Sequence, residues 1–172
     1  MPNWCYNNLT LQVQDDQKAE EFEAFLKTLS EADEDATSGL FTYFLPIPDD
    51  KESDWYSWRI ENWGTKWDVT TPEWERIEDN TFVLSFDTAW GPPTSLYESI
   101  YERDDEWEVT AYYSETGMGF VGKFEDGFNE LYSYDFEDEN WRDDIPEELV
   151  EFGGLDYDYD YYLESIEEDE DE

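Results

Sequence analysis

The 172-residue chain has no histidine, a single cysteine and only nine lysines or arginines, and each shortage closes off a class of function. Without imidazole there is no Ser-His-Asp or Cys-His arrangement and no imidazole metal site. One thiol, Cys5, excludes an intramolecular disulfide and a cysteine-built zinc site. No GxxxxGK[ST] or GxGxxG loop is present to cradle a phosphate. The longest apolar runs are a few residues, too short to span a bilayer. The start Met1-Pro2-Asn3-Trp4 lacks the basic and apolar regions of a signal peptide. These absences predict a soluble cytoplasmic protein that is not an enzyme, with no membrane segment, no cofactor, no metal and no catalytic residues.

Against them stand 49 Asp or Glu, for a formal net charge of −40. So polar and charged a chain ordinarily stays disordered. Here 19% of the residues are Phe, Trp or Tyr, and each buried ring removes about 150–250 Å² from water. The expectation is an aromatic core inside a carboxylate shell. A folded chain of this mass exposes about 9,000 Å², or about 220 Å² per net charge, against about 110 Å² per phosphate on a DNA cylinder. Such a field repels nucleic acid and anionic membrane and attracts basic partners. Solubility alone asks for a net charge of magnitude about 2–8.

Periodicity sets out the elements. Tyr6–Val13 alternates as a strand, and Asp15 or Asp16 caps a helix with Phe22, Phe25, Leu26 and Leu29 on its buried stripe. Residues 40–78 read as an irregular insertion. In it Leu40–Leu45 and Lys66–Val69 are short strands, and Trp55, Trp58, Trp63, Trp67 and Trp74 plate the core. Thr81–Phe86 is a strand, Thr94 or Ser95 caps a second helix, and Glu106–Tyr113 and Phe120–Phe124 are strands. This order predicts an α+β fold with helices on one face of an antiparallel sheet. After Phe124 the composition shifts, and residues 125–172 hold 22 acids and one base, Arg142.

Three motifs carry a resemblance: Met1-Pro2-Asn3-Trp4-Cys5-Tyr6-Asn7-Asn8-Leu9, Trp63-Gly64-Thr65-Lys66-Trp67-Asp68 and Thr88-Ala89-Trp90-Gly91-Pro92-Pro93. In this order over about 125 residues they resemble the YubB-like family of plasmids, phages and prophages. That resemblance implies a ferredoxin-like antiparallel sheet with two helices on one face, and an origin in a mobile element. It implies no catalytic role, because the family has no established activity to carry over. The chain then divides into a ferredoxin-like domain (1–125, insertion 40–78), an acidic aromatic extension (126–166) and a disordered acidic tail (167–172).

Cys5 and the motif residues Trp4, Trp63, Gly64, Trp67 and Trp90 read as core-forming. The alternative is that Trp4, Trp63, Trp67 and Trp90 line a stacking groove for a base or sugar. In Asp156-x-Asp158-x-Asp160-x-Tyr162-x-Glu164-x-x-Glu167 the oxygens fall at EF-hand positions, but Tyr161 stands where the loop needs Gly. Asp156–Tyr162 also alternates acid and tyrosine, which in an extended chain repeats an acid every 6.5 Å or so.

The favoured expectation is an interaction protein that mimics DNA or RNA in the cleft of a basic, nucleic-acid-binding host protein such as a defence nuclease. It would not bind nucleic acid itself, and a homodimer stays open. Its partner-binding acids are Asp135, Glu137, Asp138, Glu139, Asp143, Asp144, Asp156, Asp158, Asp160, Glu164, Glu167 and Glu168. Glu20, Glu21 and Glu23 on the first helix, and Asp104, Asp105 and Glu106, assist them. The alternatives are a halophilic-type domain, for which acids should cover the surface evenly, and a Ca²⁺- or small-ligand-binding module.

Overall fold

The computed structural model describes residues 2–32, 38–103 and 107–170, except the side chains of 167–170. In β1 (Trp4–Val13) the odd-numbered side chains from Cys5 to Val13 are buried and the even-numbered ones are not, as a period of two requires. α1 (Asp16–Ser30) starts where the Asp15 carboxylate accepts the Lys18 backbone N–H at 2.8 Å, and it buries Ala19, Phe22, Leu26 and Leu29.

The insertion contributes α2 (Leu40–Phe44), a 3-10 turn (Asp49–Asp54) and α3 (Trp55–Asn62). Then come β2 (Glu73–Arg76), β3 (Thr81–Ala89), α4 (Thr94–Arg103), β4 (Trp107–Glu115), β5 (Phe120–Glu125) and β6 (Phe128–Ser133). The strands form one antiparallel sheet in the order β2-β3-β1-β4-β5-β6. Its first four strands, with α1 and α4, make the βαββαβ unit of a ferredoxin-like fold, and the α+β expectation holds.

The main core fills the face under α1 and α4. Phe22 stands edge-on to Phe82 (centroids 5.0 Å apart) and to Trp107 (5.2 Å), among Leu9, Leu11, Leu84 and Val109. Edge-to-face pairs of this kind add to the burial of the rings themselves.

The insertion is more regular than its sequence suggests. Leu40–Leu45 is not a strand, because the Asp68 carboxylate accepts the N–H groups of Gly39 (2.9 Å), Phe41 (2.7 Å) and Thr42 (3.1 Å) and so caps a helix there. The same carboxylate takes the Thr42 hydroxyl at 2.6 Å and the Val69 N–H at 2.8 Å. That turn keeps Lys66–Val69 out of the sheet, and the edge strand forms at Glu73–Arg76 instead. Trp63 is fully buried with its indole N–H on the Leu45 carbonyl at 2.9 Å, and Trp58 and Trp74 pack partly against the core. Trp55 and Trp67 remain exposed, contrary to the expectation that all five indoles plate it.

α5 (Glu147–Gly153) and α6 (Leu155–Glu170) complete the chain, joined through Gly154 in the left-handed region at φ 64. α5 lies on the opposite sheet face, over β4 and β5. There a second core forms from Val121, Trp141, Ile145, Leu149, Val150 and Leu155.

The acid–tyrosine alternation is therefore helical and not extended. Leu155, Tyr159 and Tyr162 recur at helical spacing, and Tyr159 and Tyr162 turn onto Phe136 (5.4 and 6.0 Å). The EF-hand reading falls for the same reason, since a helix winds those oxygens around its axis and cannot gather them at one point. Helical backbone continues to Glu170, where the sequence predicts a disordered tail. Residues 171 and 172 lie outside the described residues.

Candidate functional site

Two features share the sheet face opposite α1 and α4: an acidic layer and an aromatic cleft. The layer begins in the turns between β6 and α5, where Asp135, Glu137, Asp138, Glu139, Asp143 and Asp144 are all exposed. The turns hold themselves in shape, with Asp135 accepting the Glu137 N–H at 3.0 Å and Asp138 the Asn140 N–H at 2.9 Å. On α6, Asp156, Asp160 and Glu164 are exposed and four residues apart, a row that rises about 6 Å per step. Asp158 is half-buried. The one base of the region, Arg142, is held by Glu147 at 2.7 Å and by Asp156. Lys123, on the neighbouring strand, is held by Glu148 at 2.7 Å, and that contact pushes its ammonium pKa up.

The other expected partner-binding acids do not join this layer. Glu20 and Glu23 grip Arg76 across α1, and Glu23 also meets Lys27 at 2.6 Å. Hydrogen bonds from Lys27 and Arg76 hold the Glu23 carboxyl below its ordinary range. Both are spent on internal pairs, and Glu21 accepts from Gln17 at 2.8 Å. Asp104, Asp105 and Glu106 lie outside the described residues, as do the side chains of Glu167 and Glu168.

The cleft lies at the β2–β3–β1 end of the face and encloses about 530 Å³. Trp4 and Tyr6 on β1, Asp87 on β3 and Glu73 on β2 all project to this side, and the loop carrying Trp67 walls it. The Trp4 and Trp67 rings stand 5.7 Å apart at 33°, and the Lys66 ammonium lies 3.9 Å from the Trp67 ring centre. Trp4 and Trp90 are each 51% exposed, so Trp4, Trp67 and Trp90 are not core residues as expected. Trp90 also holds a left-handed backbone, φ 70, which costs a bulky residue about 1–3 kcal/mol. Its N–H bond to the Asn3 carbonyl at 2.9 Å keeps it there.

Beneath these rings the first and third sequence motifs meet in a buried polar chain, and Thr65 of the second donates to the Ala89 carbonyl of the third at 3.4 Å. The Tyr97 hydroxyl donates to Asn7 Oδ1 (3.1 Å), Asn7 Nδ2 donates to Thr88 Oγ1 (2.8 Å), and Thr88 Oγ1 donates to the Gly91 carbonyl (2.7 Å). Gly64 sits at φ 87 with its Cα facing the Thr94 backbone, where a Cβ would meet the amide nitrogen at 3.3 Å. Cys5 is buried beside this network, and burial and Glu115 push its thiol up to about 12. It is a packed core thiol.

Open ferredoxin-like sheets with exposed aromatics on their central strands are suited to stacking bases. Here Phe152 of α5 packs against Tyr6 (5.9 Å) and Tyr112 (5.5 Å) and takes part of that face, while Trp4 and Tyr6 stay exposed toward the cleft. Averaged over 10620 Å² of accessible surface, the forty net charges come to about 270 Å² each. They are not even, however: residues 1–124 carry 27 acids and eight bases, and residues 125–172 carry 22 acids and one base.

Tyr6, Glu73, Asp87 and Phe152 escape the sequence reading. Tyr6 and Asp87 were legible by continuing the strand alternation, which sets Trp4 and Tyr6 opposite Cys5 and Asn7, whereas Glu73 lies on an edge strand that periodicity did not mark. Phe152 carries no such signal, because only the packing of α5 brings it over β1.

A family model described as the ferredoxin-like domain in Api92-like protein matches residues 66–156. No curated protein and no solved structure matches the chain. Among the described residues, no helix is long and apolar enough to cross a membrane.

Proposed function

This chain belongs to the family of ferredoxin-like domains in Api92-like proteins, and from that premise we propose that it is an interaction protein whose acidic layer docks in the cleft of a basic, nucleic-acid-binding protein. The observation that carries the reading is the one-sided layer, in which exposed carboxylates from 135 to 164 surround a single internally paired arginine. Carboxylates of the layer stand in for phosphates, pair with lysines and arginines of the partner, and exclude its nucleic acid by competition. The shortage of cations, nine bases against 49 acids, supports a protein partner over a nucleic acid, and the uneven charge supports docking over halophilic hydration. The motif resemblance to the YubB-like family of mobile elements extends the proposal to a host partner, such as a defence nuclease of the cytoplasm.

The test is capture of nucleic-acid-binding proteins at low salt, followed by competition against their own DNA or RNA. The expected result is displacement of the nucleic acid, lost as salt rises and weakened by D156N/D160N/E164Q. Binding that is insensitive to salt, or unchanged by the triple variant, would overturn it.

A further inference from the structure

We infer that the Trp4–Trp67 cleft is a receptor for one cationic side chain, an arginine or lysine presented by a protein partner. Its described lining includes the carboxylates of Asp68, Glu73 and Asp87 and no base. Asp68 is consumed in capping α2, which leaves Glu73 and Asp87, both exposed on the strands, to neutralise a guest. The indoles supply the other half of the recognition. A cation over a tryptophan face is attracted by the ring quadrupole, and tryptophan is the strongest of the aromatic hosts.

The molecule already makes this contact with its own residues. Lys66 lies over Trp67, and Arg59 stacks between Trp55 at 5.1 Å and Trp63 at 4.7 Å. Indole faces in this corner therefore take both an ammonium and a guanidinium, while the half-exposed Trp4 makes no such contact among the described residues.

Two further facts point the cleft at a ligand. Large side chains are left in water at the place where three sequence motifs converge, although the fold has two cores that bury such rings elsewhere. Trp90, next in the chain to the lining residue Ala89, is held in a strained backbone without the compensation of burial. Charge complementarity selects the guest, since a phosphate or an acidic peptide would meet two free carboxylates. The cleft also opens on the same face as the acidic layer, bordered by Tyr6 under Phe152. A basic partner seated on that layer brings its neighbouring cations to the cleft. The inference rests on the reading of a basic partner and adds the anchor point for one of its side chains.

The experiment titrates the full-length protein with Nα-acetyl-arginine amide, its lysine counterpart and the neutral isostere Nα-acetyl-citrulline amide, following the indole N–H resonances. Saturable shifts of Trp4 and Trp67 are expected with the two cations, the citrulline ligand binding about tenfold more weakly. Trp4→Ala should abolish the response. Glu73→Gln with Asp87→Asn, which leaves the rings in place, should weaken it about threefold to fivefold.

Equal binding of citrulline, or shifts unaffected by the double substitution, would reduce the cleft to a neutral stacking surface and overturn the inference. Tighter binding of a neutral glycoside or nucleoside would do the same. D156N/D160N/E164Q should leave these titrations unchanged, which separates the two proposals. Loss of salt-dependent capture with an intact arginine response removes the acidic layer alone, and the reverse outcome removes the cleft alone.

Discussion

The two faces of the sheet are built on opposite principles. Under α1 and α4 the core is a cluster of leucines, valines and phenylalanines that grips Phe22 from several sides. Residues 1–124 around it carry a net charge of −19. On the other face the core is small, five aliphatic side chains and Trp141 fringed by half-buried tyrosines and phenylalanines, and residues 125–172 carry −21 over 48 residues. Charge is densest where apolar support is thinnest. α1 is capped by Asp15 and has Lys27 in its last turn, in line with its dipole. α6 has no base in its last turn and repeats acids at i, i+4, both of which oppose an isolated helix. Its helicity comes from Leu155, Tyr159 and Tyr162 packing on the second core, so the acidic layer is conditional on that contact and on the ions or partner that screen it.

The sharpest way to test this contrast is to cut each core in turn. Phe22→Ala should cost about 3–5 kcal/mol and unfold the whole molecule at lower urea, read by circular dichroism. Trp141→Ala removes the indole that meets Tyr134, Phe136 and Tyr159. It should release residues 134–170 to protease while β1 to β5 persist, and global unfolding together with the sheet would show that the two cores are one.

A smaller effect is expected from pH. The fold raises Cys5 from an ordinary value of about 9 to about 12, and Tyr113 and Tyr134 from about 10 to about 12, all chiefly by burial. Between about 9 and about 12 the unfolded chain therefore releases these protons while the folded chain keeps them. Stability should fall as pH rises through that window, and urea midpoints at pH 8 and pH 10.5 would measure it. Cys5 should meanwhile resist thiol reagents in the folded protein at pH 8.

Smallest of all, D160N/E164Q, which spares the Arg142 pair of Asp156, should stabilise α6 by about 0.5 kcal/mol at low salt, with the gain vanishing as salt is added. Hydrogen exchange along α6 would report it. A variant that loosened α6 would show that these acids support the helix.

Strand alternation and helix caps were readable because they depend on neighbours two to four residues away. β1, α1, β3 and α4 came through at or near their ends for that reason. Leu40–Leu45 was misread because its cap, Asp68, lies 26 or more residues along the chain, out of reach of any local pattern. The tail was misread because acid–tyrosine alternation has the period of a strand, while Leu155, Tyr159 and Tyr162 have the period of a helix. Only Phe136 and Trp141 decide between them. The acids of α1 looked equivalent to those of the C-terminal region until Arg76 arrived from β2 to neutralise two of them.

The sequence by itself determined the sign and size of the field, the exclusion of imidazole and disulfide chemistry, and an α+β sheet with an aromatic interior. Those follow from composition and short-range period, which survive any folding of the chain. Only the tertiary structure decided that the acids of the C-terminal region form a layer on one face, and that the tryptophans of the motifs divide between a buried anchor and an open cleft. It alone placed Phe152 against Tyr6 and Tyr112. Each of these depends on contacts between residues far apart in the chain, which the packing of α5, α6 and the insertion brings together.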